Sequence, residues 1–231
     1  MRSLPVLEDF QRPSITDQVF EALQRHILTL DLAPGAKISE VEVAQQMGVS
    51  RQPVRDAFYR LSKLGFLTIR PQRATTISLI SEDAVMRAKF IRLALEAETI
   101  ARACQTLTPA DHDALAGLIA LQSDAVARND RDTFHALDDR FHREISERSG
   151  VGFAWQMIHE SKAHMDRIRM LTLGTASQTM ALAEHKAMLE AIRRRDSDAA
   201  IQTLRQHLGR IEGLIAQIKA ENHSWFTDGT A

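Results

Sequence analysis

The hydrophobic periodicity of this 231-residue chain changes once, near residue 80, and that change limits what it can fold into. Before it, FLTIR (66–70) and TTISLI (75–80) are β-rich runs joined by Pro71 to Ala74, the spacing of a short hairpin. After it, strand signals stop and apolar residues recur at three- and four-residue intervals. The pattern predicts helices at 82–105, 108–128, 131–149, 152–172, 177–195 and 197–222, with Thr108 as an N-cap and Pro109 in the first turn. Short connections make successive helices antiparallel neighbours, so residues 84–222 are expected to form an all-α helical bundle.

Three shorter helices precede the hairpin. SITDQVFEALQRHILTL (14–30) places Ile15, Val19, Leu23, Ile27 and Leu30 on one stripe behind Ser14, and Asp31 to Gly35 breaks it. A second helix over 39–47 ends at Gly48. Ser50 restarts the chain as an N-cap, and Pro53 is tolerated because a first-turn N–H has no intrahelical partner anyway. The third helix turns Val54, Ala57, Phe58, Leu61 and Leu64 inward and stops at Gly65. Three helices and a two-stranded ribbon describe a winged helix-turn-helix at 14–80, behind a tail at 1–13. The expected fold class is mainly α: a winged helix-turn-helix followed by a helical bundle.

Charge separates the two parts. The chain has a net charge of −1, but residues 1–80 carry +2 and residues 81–231 carry −3. Within 50–73, Arg51, Arg55, Arg60, Lys63, Arg70 and Arg73 face only Asp56, a footprint suited to a polyanion. A helix-turn-helix lays its second helix across the major groove, N-terminal residues first. Arg51 and Arg55, at i and i+4, share one face at that end and can reach guanine O6 and N7 bidentately.

Other classes are disfavoured. The single cysteine, Cys104, excludes an intramolecular disulfide and reads as a buried inert thiol. MRSLPVLEDFQRP lacks the apolar core of a signal peptide, and no apolar run reaches the ~18 residues of a membrane span, so a cytoplasmic protein without a membrane partner is expected. There is no glycine-rich phosphate loop and no Ser/His/Asp order suggesting nucleophilic catalysis.

The run LAPGAKISEVEVAQQMGVSRQPVRDAFYRLSKLGFLTIRPQRATTIS resembles the DNA-binding domain of the GntR family of bacterial transcription regulators, most specifically in SRQPVR. The resemblance implies DNA contacts from Ser50, Arg51, Gln52 and Arg55, with Arg73 in the wing. The chain departs from many relatives at the wing tip, where Ala74 replaces glycine. Where some relatives carry an arginine at the start of the second helix, it reads Glu40-Val41-Glu42, and no contact is assigned there.

In the bundle the chemistry lies in the histidines. FHALDDRFHREI turns Phe134, Leu137, Phe141 and Ile145 inward, and Asp138 and His142 fall alongside at i and i+4. A carboxylate drawn into a core needs a partner. His185 lies on the stripe of Leu182, Met188, Leu189 and Ile192, and His207 lies between Leu204 and Ile211. Each is 11 residues from Asp196, where the connecting turn centres, so at ~1.5 Å per residue both sit ~16 Å from it, at one level. Three imidazoles and one carboxylate can then converge on a divalent metal. Imidazole-rich ligation favours Zn2+, with Ni2+ and Mn2+ open. His26, His112, His135, His159, His164 and His223 match no shared geometry, and His135 is placed on the exposed face of its helix.

Residues 84–220 resemble the FCD ligand-binding domain of the FadR-type branch of the same family, whose metal-containing members use one Asp and three His. Asp138 and His142 in LDDRFH, His185 in EHKAMLEAI and His207 in LRQHL match those elements. The resemblance also implies an effector-facing arginine, Arg92 in IRLALE. Its alternative is a surface ion pair with Glu96.

The reading is a ligand-responsive transcription regulator, not an enzyme, that binds double-stranded operator DNA as a homodimer. Its metal has coordination positions to spare for a small organic acid effector, with Arg92 as second clamp. A rival is a metal-dependent hydrolase on a helical bundle with an accessory DNA-binding domain. That rival needs a general base beside the metal, and the sequence marks no separate carboxylate for the role. A metal-free dimerisation module is a third reading.

Overall fold

Residues 13–70 and 73–227 are described by a computed structural model of the chain. They fall into two units, divided between Ser78 and Leu79.

In the first unit, α1 (Ile15–Leu28) opens with a capping box: Ser14 accepts from the Asp17 N–H, and the Asp17 carboxylate accepts from the Ser14 N–H. Val19, Phe20, Leu23 and Ile27 are buried, whereas Ile15 is exposed. β1 (Lys37–Ile38) leads to α2 (Glu40–Met47), capped by Ser39 and ended by Gly48 at φ 65°, a left-handed conformation that costs glycine little. α3 (Arg51–Lys63) buries Val54, Ala57, Phe58 and Leu61; Leu64 is half-buried. β2 (Leu67–Thr68) and β3 (Thr75–Ile77) pair antiparallel as expected, Leu67 with Ile77 and Thr68 with Thr76. The expected two-stranded ribbon is in fact three-stranded, because β1 pairs with the other edge of β3, Lys37 with Thr76 and Ile38 with Thr75. Two residues are too few to show a period, so β1 leaves no pattern in the sequence. Pro71 and Gln72, in the predicted turn, lie outside the described residues, as does the tail over 1–12.

The second unit contains α4 (Glu82–Thr106), α5 (Pro109–Ala127), α6 (Arg131–Arg148), α7 (Gly152–Ser161), α8 (Ala163–Thr172), α9 (Thr175–Arg193), α10 (Ser197–Gly209) and α11 (Ile211–Glu221). Two predicted helices are interrupted. The helix expected at 152–172 breaks at Lys162, where neither Gly nor Pro marks the position and the lysine side chain is drawn inside. The helix expected at 197–222 is divided at Arg210, which keeps right-handed helical angles after Gly209. α6 packs against α4, α5 and α7, so its buried surface is wider than one stripe. Phe134, Phe141 and Ile145 are buried with Asp138 and His142, while Leu137 is half-buried. Cys104 is buried and free. No described helix is long and apolar enough to cross a membrane.

Candidate functional site

The bundle brings Asp138 and His142 of α6 together with His185 of α9 and His207 of α10. All four are buried, and one ligand atom from each lies within 4.8 Å of the others. Asp138 Oδ1 is 3.5 Å from His185 Nε2 and 3.9 Å from His207 Nε2. Ligands at the ~2.0–2.2 Å bond lengths of zinc stand about 3.0–3.5 Å apart, so small side-chain adjustments close this set on one ion.

Each imidazole is held by its other nitrogen. His142 Nδ1 lies 2.6 Å from Glu96 Oε2, and His207 Nδ1 lies 2.8 Å from Glu184 Oε2; carboxylates at these distances place the proton on Nδ1. His185 Nδ1 lies 2.8 Å from Gln122 Oε1. Gln122 donates its amide N–H to the Leu137 carbonyl, so its oxygen must accept from His185 Nδ1–H. All three rings thereby keep an Nε2 lone pair free. Those of His142 and His185 are buried with no hydrogen-bond partner, the condition that a cation satisfies.

The electrostatics suit neutral imidazoles around an ionised carboxylate. Burial drives the pKa values of His185 and His207 well below the usual histidine value, against the pull of Asp138. Burial is the largest influence on Asp138 and opposes its ionisation, but Arg169, with Nη2 2.5 Å from Oδ1, and the three surrounding histidines together outweigh it and hold the carboxyl well below its usual range. Glu96, despite burial, is lowered to about 2 by Arg92 and His142. Arg92 makes its predicted contact with Glu96, at 2.6 Å, but the pair is buried rather than on the surface, and Arg92 Nη1 and Nη2 have no hydrogen-bond partner.

Sequence reasoning missed the outer ring of Glu96, Gln122, Arg169, Glu184 and Arg210. Two of its carboxylates do stand beside the histidines, yet each is committed to an arginine and to an imidazole on the side away from Nε2, so neither is free to act as a general base. His135 is likewise buried rather than exposed. It forms a second group with Asp139 and Asp166, where the Lys162 ammonium already sits 2.6 Å from Asp139 and 2.5 Å from Asp166.

In the first unit, Ser50, Arg51, Gln52, Arg55 and Arg73 are exposed. Ser50 makes no capping hydrogen bond, Gln52 donates to Asp56 at 2.9 Å, and Glu40 lies 3.8 Å from Arg51 and 3.3 Å from Arg55. Arg60 has a structural task instead: it pairs with Asp17 at 2.7 Å and lies over the Phe20 ring at 4.2 Å, fastening α3 to α1.

A winged helix-turn-helix with an exposed arginine pair at the start of its second motif helix, linked to an all-α bundle, defines a DNA-binding transcription regulator. Residues 15–77 match the bacterial regulatory proteins of the gntR family, and residues 90–210 match the FCD domain. The chain belongs to the GntR family of transcription regulators, in the FadR-type branch that carries an FCD domain. It is 36% identical to the HTH-type transcriptional regulator YdfH of Escherichia coli O6:H1, over 94% of this chain and 95% of that protein. It is 35% identical to the HTH-type transcriptional repressor RspR of Escherichia coli K12, over 93% and 94%. The solved structure of E. coli McbR/YncC superposes with a TM-score of 0.76 at 25% identity, covering 90% of this chain and all of that one.

Proposed function

We propose that the bundle of this regulator holds a divalent metal through Asp138, His142, His185 and His207, and that the metal helps bind a small carboxylate effector. The effector in turn alters the grip of a homodimer on operator DNA. The convergence of four buried ligand atoms, with each imidazole fixed at Nδ1, carries the reading. Imidazole-rich ligation favours zinc. When bound, such an ion supplies a Lewis-acidic pole with coordination positions to spare for an oxygen anion. Arg92 adds positive charge from behind the histidines. On the DNA, Arg51 and Arg55 read base edges, Ser50 and Gln52 flank them at the start of α3, and Arg73 meets the backbone from the wing.

Elemental analysis tests the metal directly. The protein, purified without chelator and dialysed against zinc, should hold about one ion per chain, and chelation should lower its melting temperature. Asp138→Ala, His142→Ala, His185→Ala and His207→Ala should each lose most of the ion, and the exposed His223→Ala should keep it. Full metal content in all four variants, or none in the wild type, overturns the site.

A further inference from the structure

α6 carries a second pair of ligand-type side chains, three residues ahead of the first. Asp138 and His142 meet the histidine cluster, whereas His135 and Asp139, also at i and i+4, meet Asp166 of α8. One ligand atom from each of these three lies within 4.8 Å of the others. The Lys162 ammonium does not use the group up. Its Nζ holds Oδ2 of both carboxylates, at 2.6 Å from Asp139 and 2.5 Å from Asp166. Asp139 Oδ1, Asp166 Oδ1 and His135 Nδ1 remain buried with no hydrogen-bond partner. His135 is 8% exposed and Asp166 4%, so leaving these atoms unpaired is costly.

Ionised carboxylate oxygens only accept, so whatever meets both must donate or carry positive charge. A proton shared between the two carboxylates does not fit. Burial works against ionisation of Asp139, but Lys162 and His135 outweigh it and hold the carboxyl below its usual range. Burial also lowers the His135 pKa, so at neutral pH the ring keeps a lone pair to offer. Two carboxylate oxygens and one imidazole nitrogen form a hard, oxygen-rich donor set of the kind that suits Mn2+. Asp139 is half-buried, which leaves an ion a way in from solvent and room for water ligands.

We propose that His135, Asp139 and Asp166 form a second divalent-cation site, of the Mn2+ type, distinct from the histidine cluster. Lys162 is its built-in competitor. The ammonium shares both carboxylates with the ion, and Arg169, held by Asp138, adds positive charge nearby. The site therefore fills only when the free cation is plentiful, and when filled it ties α6 to α8.

Full-length protein loaded with zinc and freed of excess is titrated with Mn2+, the free ion being followed by its electron paramagnetic resonance signal. Binding should saturate near one Mn2+ per chain, with the zinc retained. His135→Gln and Asp166→Asn should each weaken it by at least the ~10–100-fold that losing even an outer partner of a metal ligand costs, with zinc content unchanged. Lys162→Met removes the competitor and should bind Mn2+ more tightly than wild type, with a larger rise in melting temperature on adding the ion. A lysine with a purely structural role would give no such gain. His135→Gln removes no charge and decides the matter if either of the other variants fails to fold. Binding that does not saturate, unchanged affinity in His135→Gln and Asp166→Asn, or weaker binding in Lys162→Met overturns the proposal. Mn2+ uptake lost in His142→Ala but kept in His135→Gln puts the ion in the histidine cluster and also overturns it. If wild type holds no zinc, uptake that survives His142→Ala but not His135→Gln defeats the first metal reading and leaves this site standing.

Discussion

Acidifying the chelated protein from pH 7.0 to 5.5 should cost the bundle about 2.5 kcal/mol through His185 and His207 alone. Both are fully or almost fully buried, with pKa values depressed by burial. In the unfolded chain they take up protons below about pH 6.5, whereas in the folded protein they stay neutral. Their stabilisation is therefore present above that pH and is lost as the pH falls. Each forfeits about 1.2 kcal/mol over this interval. His135, His159 and His164 are also depressed by burial and add in the same direction. The depressed carboxyls of Asp138 and Glu96 do not interfere, because they are ionised in both states until the pH nears 4. Urea unfolding at three pH values measures the loss. Trp155 and Trp225, the two tryptophans, both lie in the bundle, so their fluorescence reports that unit. A loss below about 1 kcal/mol, or the same slope in a His185→Gln/His207→Gln double variant, would refute the neutral-histidine argument. Zinc-loaded protein should lose its ion over the same interval, since protonated imidazole cannot ligate.

On DNA, Arg51→Ala and Arg55→Ala should each cost ~1–3 kcal/mol of specific binding and relax base preference at a defined operator position. Arg73→Ala should weaken binding to all sequences alike and reduce the salt slope by about one unit; a sequence-dependent loss would refute a backbone contact. Arg60→Ala should destabilise the first unit by about 1 kcal/mol in thermal unfolding while leaving base preference intact, because its partners are Asp17 and Phe20. Lys162→Met strands Asp139 and Asp166 without their counter-charge and should cost ~3–5 kcal/mol of bundle stability; a neutral outcome would mean that the two aspartates find another cation.

The four clustered residues were legible because their placement depends on local rules. Asp138 and His142 follow from i and i+4 on α6, and His185 and His207 from equal distances to one turn. The residues around them were not, because α4, α5 and α8 reach the cluster only through tertiary packing. Faint signals existed: Arg210 stands three residues after His207, and Glu184 adjoins His185. His135 was misplaced because one hydrophobic stripe was assumed for a helix packed on several sides. The break at Lys162 has no local cause that a propensity scale registers; the lysine is drawn inward by Asp166, four residues on, together with Asp139, which only the fold brings near. Ile15 continues a correct helical stripe and still lies in solvent, since periodicity says which residues share a face, not how far along the helix that face is covered.

Arg210 joins the helix that carries His207 to the last helix of the bundle. The chain keeps right-handed helical angles there, so α10 and α11 follow each other with a single residue between them. Four residues past α11, the Trp225 carbonyl accepts the Ile80 N–H at 2.8 Å, and the Thr227 N–H donates to the Ile80 carbonyl at 3.0 Å. Ile80 is two residues beyond Ser78, the last residue of the first unit. The helical stretch that carries His207 is thus fastened at its far end to Ile80, the residue just before the N-cap of α4, so the last helices of the bundle and its first are tied by backbone hydrogen bonds as well as by packing.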